Sequence, residues 1–268
     1  MTFSRKLTSV VATALIAGLS LSACGGSDGD KADSTSGGGG GKATLTQANF
    51  ARTLTDSQTN AKSTHIDMTI GVGGQSFKAQ GDVAIGKSAA DTAVGMTMDL
   101  GSVKADMRLV DEVFYINVGQ LSENKFLKVD LTDKKNPFAQ QYGQIMDQID
   151  PSKQMQQFKD AMKSFTKKGE PQKIDGVEAQ PYLVTVDTSK VKAYQDLPET
   201  SRAQLPATIE YTMFIGPDNL PRRMEFDLAG SKSTVDYSNW GDSVDIKAPS
   251  ADEISDKDLS QLGAPAAG

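Results

Sequence analysis

Apolar and polar residues alternate over long stretches of this chain. Ile66, Met68, Ile70 and Val72 interleave with His65, Asp67, Thr69 and Gly71; after Gly73-Gly74, Phe77, Ala79, Gly81, Val83 and Ile85 interleave with Lys78, Gln80, Asp82 and Ala84. A period of two sends successive side chains to opposite faces, which predicts a hairpin with one apolar and one wet face. The pattern repeats through Val94, Met96, Met98 and Leu100, a turn at Gly101-Ser102, and then Val103, Ala105, Met107 and Leu109. Further strands over 113–118 and 125–131 extend it into an antiparallel meander.

Elsewhere the period changes. Leu45, Phe50, Leu54 and Ala61 fall near helical spacing, with Thr44 or Thr46 available to cap, which predicts a helix over about 46–61. Asn136-Pro137 and Asp150-Pro151 each place a capping residue before a proline suited to the first helical position. The stripes that follow are Phe138, Tyr142, Ile145, Met146, Ile149, and then Met155, Phe158, Met162, Phe165; they predict helices over 137–149 and 151–165. Strands resume after Gly169, through the turn Asp175-Gly176 to Tyr182, Val184 and Val186. Beyond a polar segment come Ile209 to Ile215, the turn Gly216-Pro217-Asp218-Asn219, Met224, Phe226 and Leu228, and a last strand around 233–238.

About ten strands and three helices without βαβ alternation indicate an α+β fold: a large, strongly curved antiparallel sheet whose single apolar face is covered by a few helices. Such layers either close on a packed core or leave a hydrophobic cavity between them, and periodicity alone does not choose.

The ends of the chain have a different character. Arg5 and Lys6 precede an apolar stretch from Leu7 to Leu21 that is too short to span a bilayer, followed by Leu21-Ser22-Ala23-Cys24. This matches the bacterial lipobox: residues 1–23 read as a lipoprotein signal peptide, and Cys24 is the lipidation site. Residues 24–42, ending in Gly37 to Gly41 and Lys42, cannot bury enough apolar surface to order themselves and read as a flexible tether. Its root-mean-square reach is on the order of 20 to 25 Å. Residues 43–248 then form one domain, and 249–268 a mostly disordered tail with a short docked turn near Ile254. The expected location is the extracytoplasmic face of the cell membrane, held there by the lipid.

Composition narrows the chemistry. The 28 basic residues less Arg5 and Lys6 leave 26 against 34 acidic ones, a net −8 that repels phosphate backbones, so nucleic acid is not an expected partner. Cys24 is the only cysteine and His65 the only histidine, which removes disulfides, thiolate metal sites and multi-histidine sites. His65 points by alternation to the wet face beside Asp67 and reads as a surface histidine. Asp67, Asp82, Asp106 and Asp227 also fall outward and read as a solvated face. Lys134-Lys135, Lys167-Lys168 and Arg222-Arg223 are basic pairs suited either to anionic headgroups or to plain solvation at strand ends. No cofactor, metal or catalytic residue is expected, and the domain is expected to be a monomer.

The order of elements (lipobox, tether, helix, meander, helix pair, late hairpin) and the hairpin Tyr211-Thr212-Met213-Phe214-Ile215-Gly216-Pro217-Asp218-Asn219-Leu220-Pro221-Arg222-Arg223 resemble the actinobacterial LppX/LprAFG lipoproteins. The resemblance implies a half-barrel related to the LolA and LolB carriers, with a lipid or glycolipid ligand and, as a further partner, a membrane exporter. Only Cys24 transfers as a site residue.

Met68, Met96, Met98 and Met107 sit on predicted inner faces, and methionine is flexible and polarizable enough to line a surface for alkyl chains. With Ile66, Ile70, Phe77, Val83, Leu109, Met213, Met224 and Phe226 they are the candidate cavity-lining residues. Each acyl CH₂ removed from water gains about 0.8 kcal/mol, so binding a chain needs no catalytic group. Two other readings stay open: a structural or regulatory interaction lipoprotein with a filled core, and an envelope hydrolase acting through carboxylates.

Overall fold

The computed structural model describes residues 45–72, 75–88, 90–99, 101, 103–133, 135–136, 160–191, 195, 199–202, 206–228 and 230–257. The alternating segments become strands. β1 (Ser63–Val72) and β2 (Gln75–Ala84) form the first hairpin, with Met68 opposite Ala79 and Ile66 opposite Gly81. The meander continues through β3 (Ala93–Asp99), β4 (Lys104–Val110), β5 (Val113–Asn117) and β6 (Leu127–Asp130). A second antiparallel series comprises β7 (Met162–Lys167), β8 (Gln172–Ile174), β9 (Val177–Asp187), β10 (Thr208–Ile215), β11 (Pro221–Leu228) and β12 (Ser231–Ser238).

The two series join where β1 pairs with β12, Met68 lying opposite Val235. The result is one open, curved sheet in the order β6-β5-β4-β3-β2-β1-β12-β11-β10-β9-β7, with β8 added on β9. Successive short loops place the hairpin ends at two ends of this sheet. One end gathers the β1–β2, β3–β4, β5–β6 and β11–β12 connections and the start of β7. The other gathers the β2–β3, β4–β5 and β10–β11 connections.

The helix α1 (Phe50–Ala61) begins later than its apolar spacing predicts. The chain first turns at Thr46, whose N–H donates to Asn49 Oδ1 at 2.7 Å and whose carbonyl accepts from the Phe50 N–H at 2.8 Å. Lys62 ends the helix in the left-handed region (φ 70°), its N–H donating to the Gln58 carbonyl, and the chain passes directly into β1. Phe50, Leu54, Thr55 and Gln58 form the buried stripe.

The helix expected over 151–165 is corrected at its C-terminal end. Met162 and Phe165 belong to β7, not to a helix stripe: Phe165 lies opposite Val184 of β9, with an irregularity between Met162 and Ser164. The 3.6-residue spacing of the four apolar residues is matched by chance at that end, and pairing to an otherwise open strand decides the conformation. The helix expected over 137–149 and most of the next lie outside the described residues. Among the described residues, helix is confined to α1 and the short α2 (Glu199–Arg202) apart from 3-10 turns and isolated helical positions, so helices are fewer, and the twelve strands more, than expected.

The segment after β12 is an irregular strap across the wet face. Gly241 N–H donates to the Ser63 carbonyl at 3.1 Å and the Ser63 hydroxyl to the Asp242 carbonyl at 2.6 Å. Ile246 then sits over Gly95, its Cγ2 3.4 Å from where a β-carbon would stand, and the Lys247 carbonyl accepts from Arg108 at 3.2 Å. A 3-10 turn at Ala251–Glu253 is closed by a capping box between Ser250 and Glu253, after which Ile254 bridges to Phe126. Residues 258–268 of the expected tail lie outside the described residues.

Two predictions follow from this frame. At Gly81 a β-carbon would stand 2.0 Å from the Gly95 carbonyl oxygen and 2.7 Å from Met96 Cα, backbone atoms that cannot swing aside. Gly81→Ala is therefore expected to destabilise the domain by at least about 2 kcal/mol in urea unfolding, more than the usual gain of a helix- or strand-favouring side chain. The Ser250 hydrogen bonds hold the Glu253 carboxyl below its ordinary range, and Lys257 does the same for Glu123. Both groups are depressed on folding, so the docking they contribute is present above about pH 4.3 and is lost as pH falls below it. Amide exchange at Phe126 and Ser255, corrected for the intrinsic rate, is expected to accelerate on acidification through that range.

Candidate functional site

The register turns the alternating apolar residues into continuous rows on one face. Met68 stands opposite both Ala79 and Val235; the row continues through Met98 and Ala105 on one side and through Met224, Met213 and Tyr182 on the other. The next row joins Met107, Met96, Gly81, Ile66 and Tyr237. A third joins Leu109, Val94 and Val83. Because each pair exchanges ladder hydrogen bonds with its neighbours, the face is a single surface and not a set of separate patches.

Of the candidate lining residues, Ile66, Met68, Ile70, Val83, Met96, Met98, Met213 and Met224 are buried within one hydrophobic cluster. Met107, Leu109 and Phe226 are half-buried against it, and Phe77 is half-buried opposite Ile70. Cys24 lies outside the described residues. The cluster also contains residues outside the list of lining candidates: Leu45, Phe50 and Leu54 from the helical segment, Tyr182, which the alternation had placed in its strand, and Tyr237. Both tyrosines stand at in-facing positions of their strands, so the same period-two signal marks them. Burial pushes both phenols above their ordinary range, Tyr237 most strongly.

Helix α1 meets the face at its β7–β9 flank through aromatics. The Phe50 ring centroid lies 4.5 Å from that of Phe165, and Phe165 stacks on Tyr182 at 4.7 Å. Such pairs contribute about 0.5–1.5 kcal/mol beyond the area they bury. On the same helix the Gln58 Nε2 and Thr59 Oγ1 atoms are buried without a hydrogen-bond partner.

The opposite face carries charge arranged in pairs. His65 Nδ1 is 2.6 Å from Asp82 Oδ1 and its Nε2 is 3.5 Å from Asp67 Oδ2. Arg223 Nε donates to Asp236 at 2.6 Å. Asp106 accepts from Thr97, and Asp227 accepts from the Gly230 N–H in the β11–β12 turn. Arg222, buried, donates to Asp218 at 2.6 Å across the β10–β11 turn, so both members of that basic pair have carboxylate partners within the fold. Trp240 Nε1 donates to the Pro221 carbonyl at 2.9 Å and seals the same turn. Among the described residues no three His, Cys, Asp or Glu side chains are grouped to hold a metal ion, and no helix is long and apolar enough to cross a membrane.

No protein-family model and no curated protein sequence matches the chain. Solved structures do: the chain is similar to the Mycobacterium tuberculosis lipoprotein LppX. The identity is 15%, the TM-score 0.48, and the match covers 75% of this chain and 98% of LppX. LprF from Mycobacterium bovis is similar at 16% identity and TM-score 0.47, over 76% of this chain and 98% of LprF. A DUF1329 family protein from Desulfovibrio piger follows at 11% identity and TM-score 0.26, over 72% and 90%. LppX and LprF bear two of the names in the group to which the element order and the late hairpin pointed.

Two substitutions test the layer. Phe50→Ala removes a fully buried ring and its contact with Phe165, and is expected to cost about 3–5 kcal/mol in chemical denaturation. Gln58→Leu replaces a buried amide whose nitrogen has no partner, and is expected to raise stability by about 1–2 kcal/mol in the ligand-free domain.

Proposed function

We propose that this chain is a noncatalytic lipoprotein, anchored through Cys24 at the extracytoplasmic face of the cell membrane, that holds the acyl chains of lipids or glycolipids and helps move them across the envelope. The observation that carries the reading is the methionine-rich apolar face running without interruption from β4 to β9. Met68, Met96, Met98, Met107, Met213 and Met224 share it. Unbranched thioether side chains repack at low cost, so a face built from them can separate from its covering layer and accept alkyl chains of different shape. Removal of each CH₂ from water supplies the affinity, about 0.8 kcal/mol at a time. The unpaired amide nitrogen of Gln58, on the helix that covers this face, is a donor suited to an ester or hydroxyl oxygen of such a ligand.

The low exposure of the central methionines, 3% for Met68 and Met96, favours a second reading: a filled core, with the function carried by the surface toward an envelope partner. The two are separated by native mass spectrometry of the domain from Ala43 onward, produced in a related host without detergent. The carrier reading expects a discrete adduct that disappears on denaturation and yields a lipid on organic extraction. A bare mass, after gentle handling and incubation with lipid, supports the filled core instead.

A further inference from the structure

Leu121 is 67% exposed, the large apolar side chain that stands out in solvent among the described residues. It lies in the 3-10 turn Gly119–Ser122 between β5 and β6, and that loop is built to hold its shape. Asn117 Oδ1 accepts from the Gly119 N–H at 2.9 Å and from the Ser122 hydroxyl at 3.1 Å, while its Nδ2 donates to the Asn124 carbonyl at 3.0 Å. Ser122, buried, accepts from the Val118 N–H at 3.0 Å. The strap buttresses the far side: Ser255 N–H donates to the Phe126 carbonyl, and Lys257 pairs with Glu123. An apolar residue kept in water on a rigid support is preorganised for a contact outside the chain.

Its place in the fold says which contact. The β5–β6 loop stands at the same end of the sheet as the start of β7, and there the folded chain begins: Gln47 Nε2 donates to the Met162 carbonyl at 3.3 Å, and Leu45 is already in the core. The segment between Cys24 and Leu45 therefore joins the domain at the end that displays Leu121. Lys104 and Lys125 are exposed in and beside the loop, with Asp99 opposite Lys104 and the Asp252 carboxyl held down by the Ser250 side chain and in part by Lys125, while Glu123, the loop's one acidic residue, pairs with Lys257. An apolar tip on a loop whose exposed lysines are balanced by neighbouring carboxylates, at the end where the N-terminal segment joins, matches the boundary between headgroups and acyl chains.

We infer that this end of the sheet faces the membrane and that Leu121 enters the lipid interface. The inference rests on the lipid-anchored reading. In that arrangement the ends of the β1–β2, β3–β4 and β5–β6 hairpins face the bilayer together.

The test uses the full-length lipidated protein on phosphatidylethanolamine–phosphatidylglycerol vesicles. With Cys24 acylated, a single introduced thiol takes an environment-sensitive fluorophore: Gln120→Cys beside the leucine, or Lys87→Cys in the β2–β3 turn at the opposite end. The expected result is a blue shift and a severalfold fall in iodide quenching at position 120, no change at position 87, and loss of the position-120 response in Leu121→Asp. Equal quenching at the two positions on protein that floats with the vesicles overturns the orientation and leaves the anchor standing. Failure to float overturns the anchored reading and this inference with it. A label exposed on vesicles but shielded in native envelope membranes means that a protein partner covers Leu121, which also overturns contact with lipid.

Discussion

The pairing of β1 with β12 is the constraint on which the rest of the structure depends. It joins strands separated by most of the domain, with Ile66 against Tyr237 and Met68 against Val235. Without it the chain would hold two separate meanders, each with one apolar face and two open edges. With it the rows of apolar side chains pass unbroken from one meander to the other, and one sheet with one face results. A contact this distant in sequence is entropically costly to form early. It also means that β1, following directly on α1, positions the helix relative to both halves at once.

A single-faced sheet of this width creates a second requirement: something must cover it. Helix α1 covers the β7–β9 flank through Phe50 and Leu54, and the Phe50–Phe165–Tyr182 series ties it there. The wet face is handled differently. Its polar groups are matched across strands, His65 with Asp82 and Arg223 with Asp236, and the strap from Asn239 to Lys257 crosses it on irregular backbone. The glycine at position 95 leaves room for Ile246 on that face, while Gly81 lets β2 and β3 approach closely on the other. Specific polar contacts are thus concentrated on the charged side and in the loops, whereas the apolar side is filled in large part by methionine, the most adaptable of the large hydrophobic residues. This division suits a sheet that serves as a fixed wall for a layer able to repack.

Much of this was legible in the sequence because a period of two has one structural meaning. Once Gly73-Gly74 is taken as a turn, the register of β1 on β2 follows, and it places His65 opposite Asp82 as well as Met68 opposite Ala79. The cavity-lining candidates were read in the same way, as in-facing positions. What was not legible depends on distant partners. Met162 and Phe165 satisfy a helical stripe as well as a strand, and only the exposed edge of β9 selects between them. The strap has no periodicity, so nothing local indicates that Ile246 rests on Gly95 or that Ile254 bridges to Phe126. Leu121 stands between strands as one apolar residue in a polar loop, and its exposure and position relative to the N-terminal segment emerge only when the sheet is assembled.

The geometry of the ends gives the carrier reading a physical economy. An acyl chain leaving a bilayer gains nothing from a hydrophobic surface that it must cross water to reach, because the exposed intermediate loses about 0.8 kcal/mol for every CH₂. In the lipid-anchored reading a tether alone would not remove that barrier, since a segment of the reach expected from its composition, on the order of 20 to 25 Å, would let the domain turn any side toward the membrane. In the lipid-anchored reading, a second, weak contact on the tethered end would restrict the orientation at little cost in affinity, because the anchor would already supply the local concentration. One exposed leucine is enough for that purpose: a larger apolar patch would bind other surfaces as well, and a buried one would not discriminate between the two ends of the sheet.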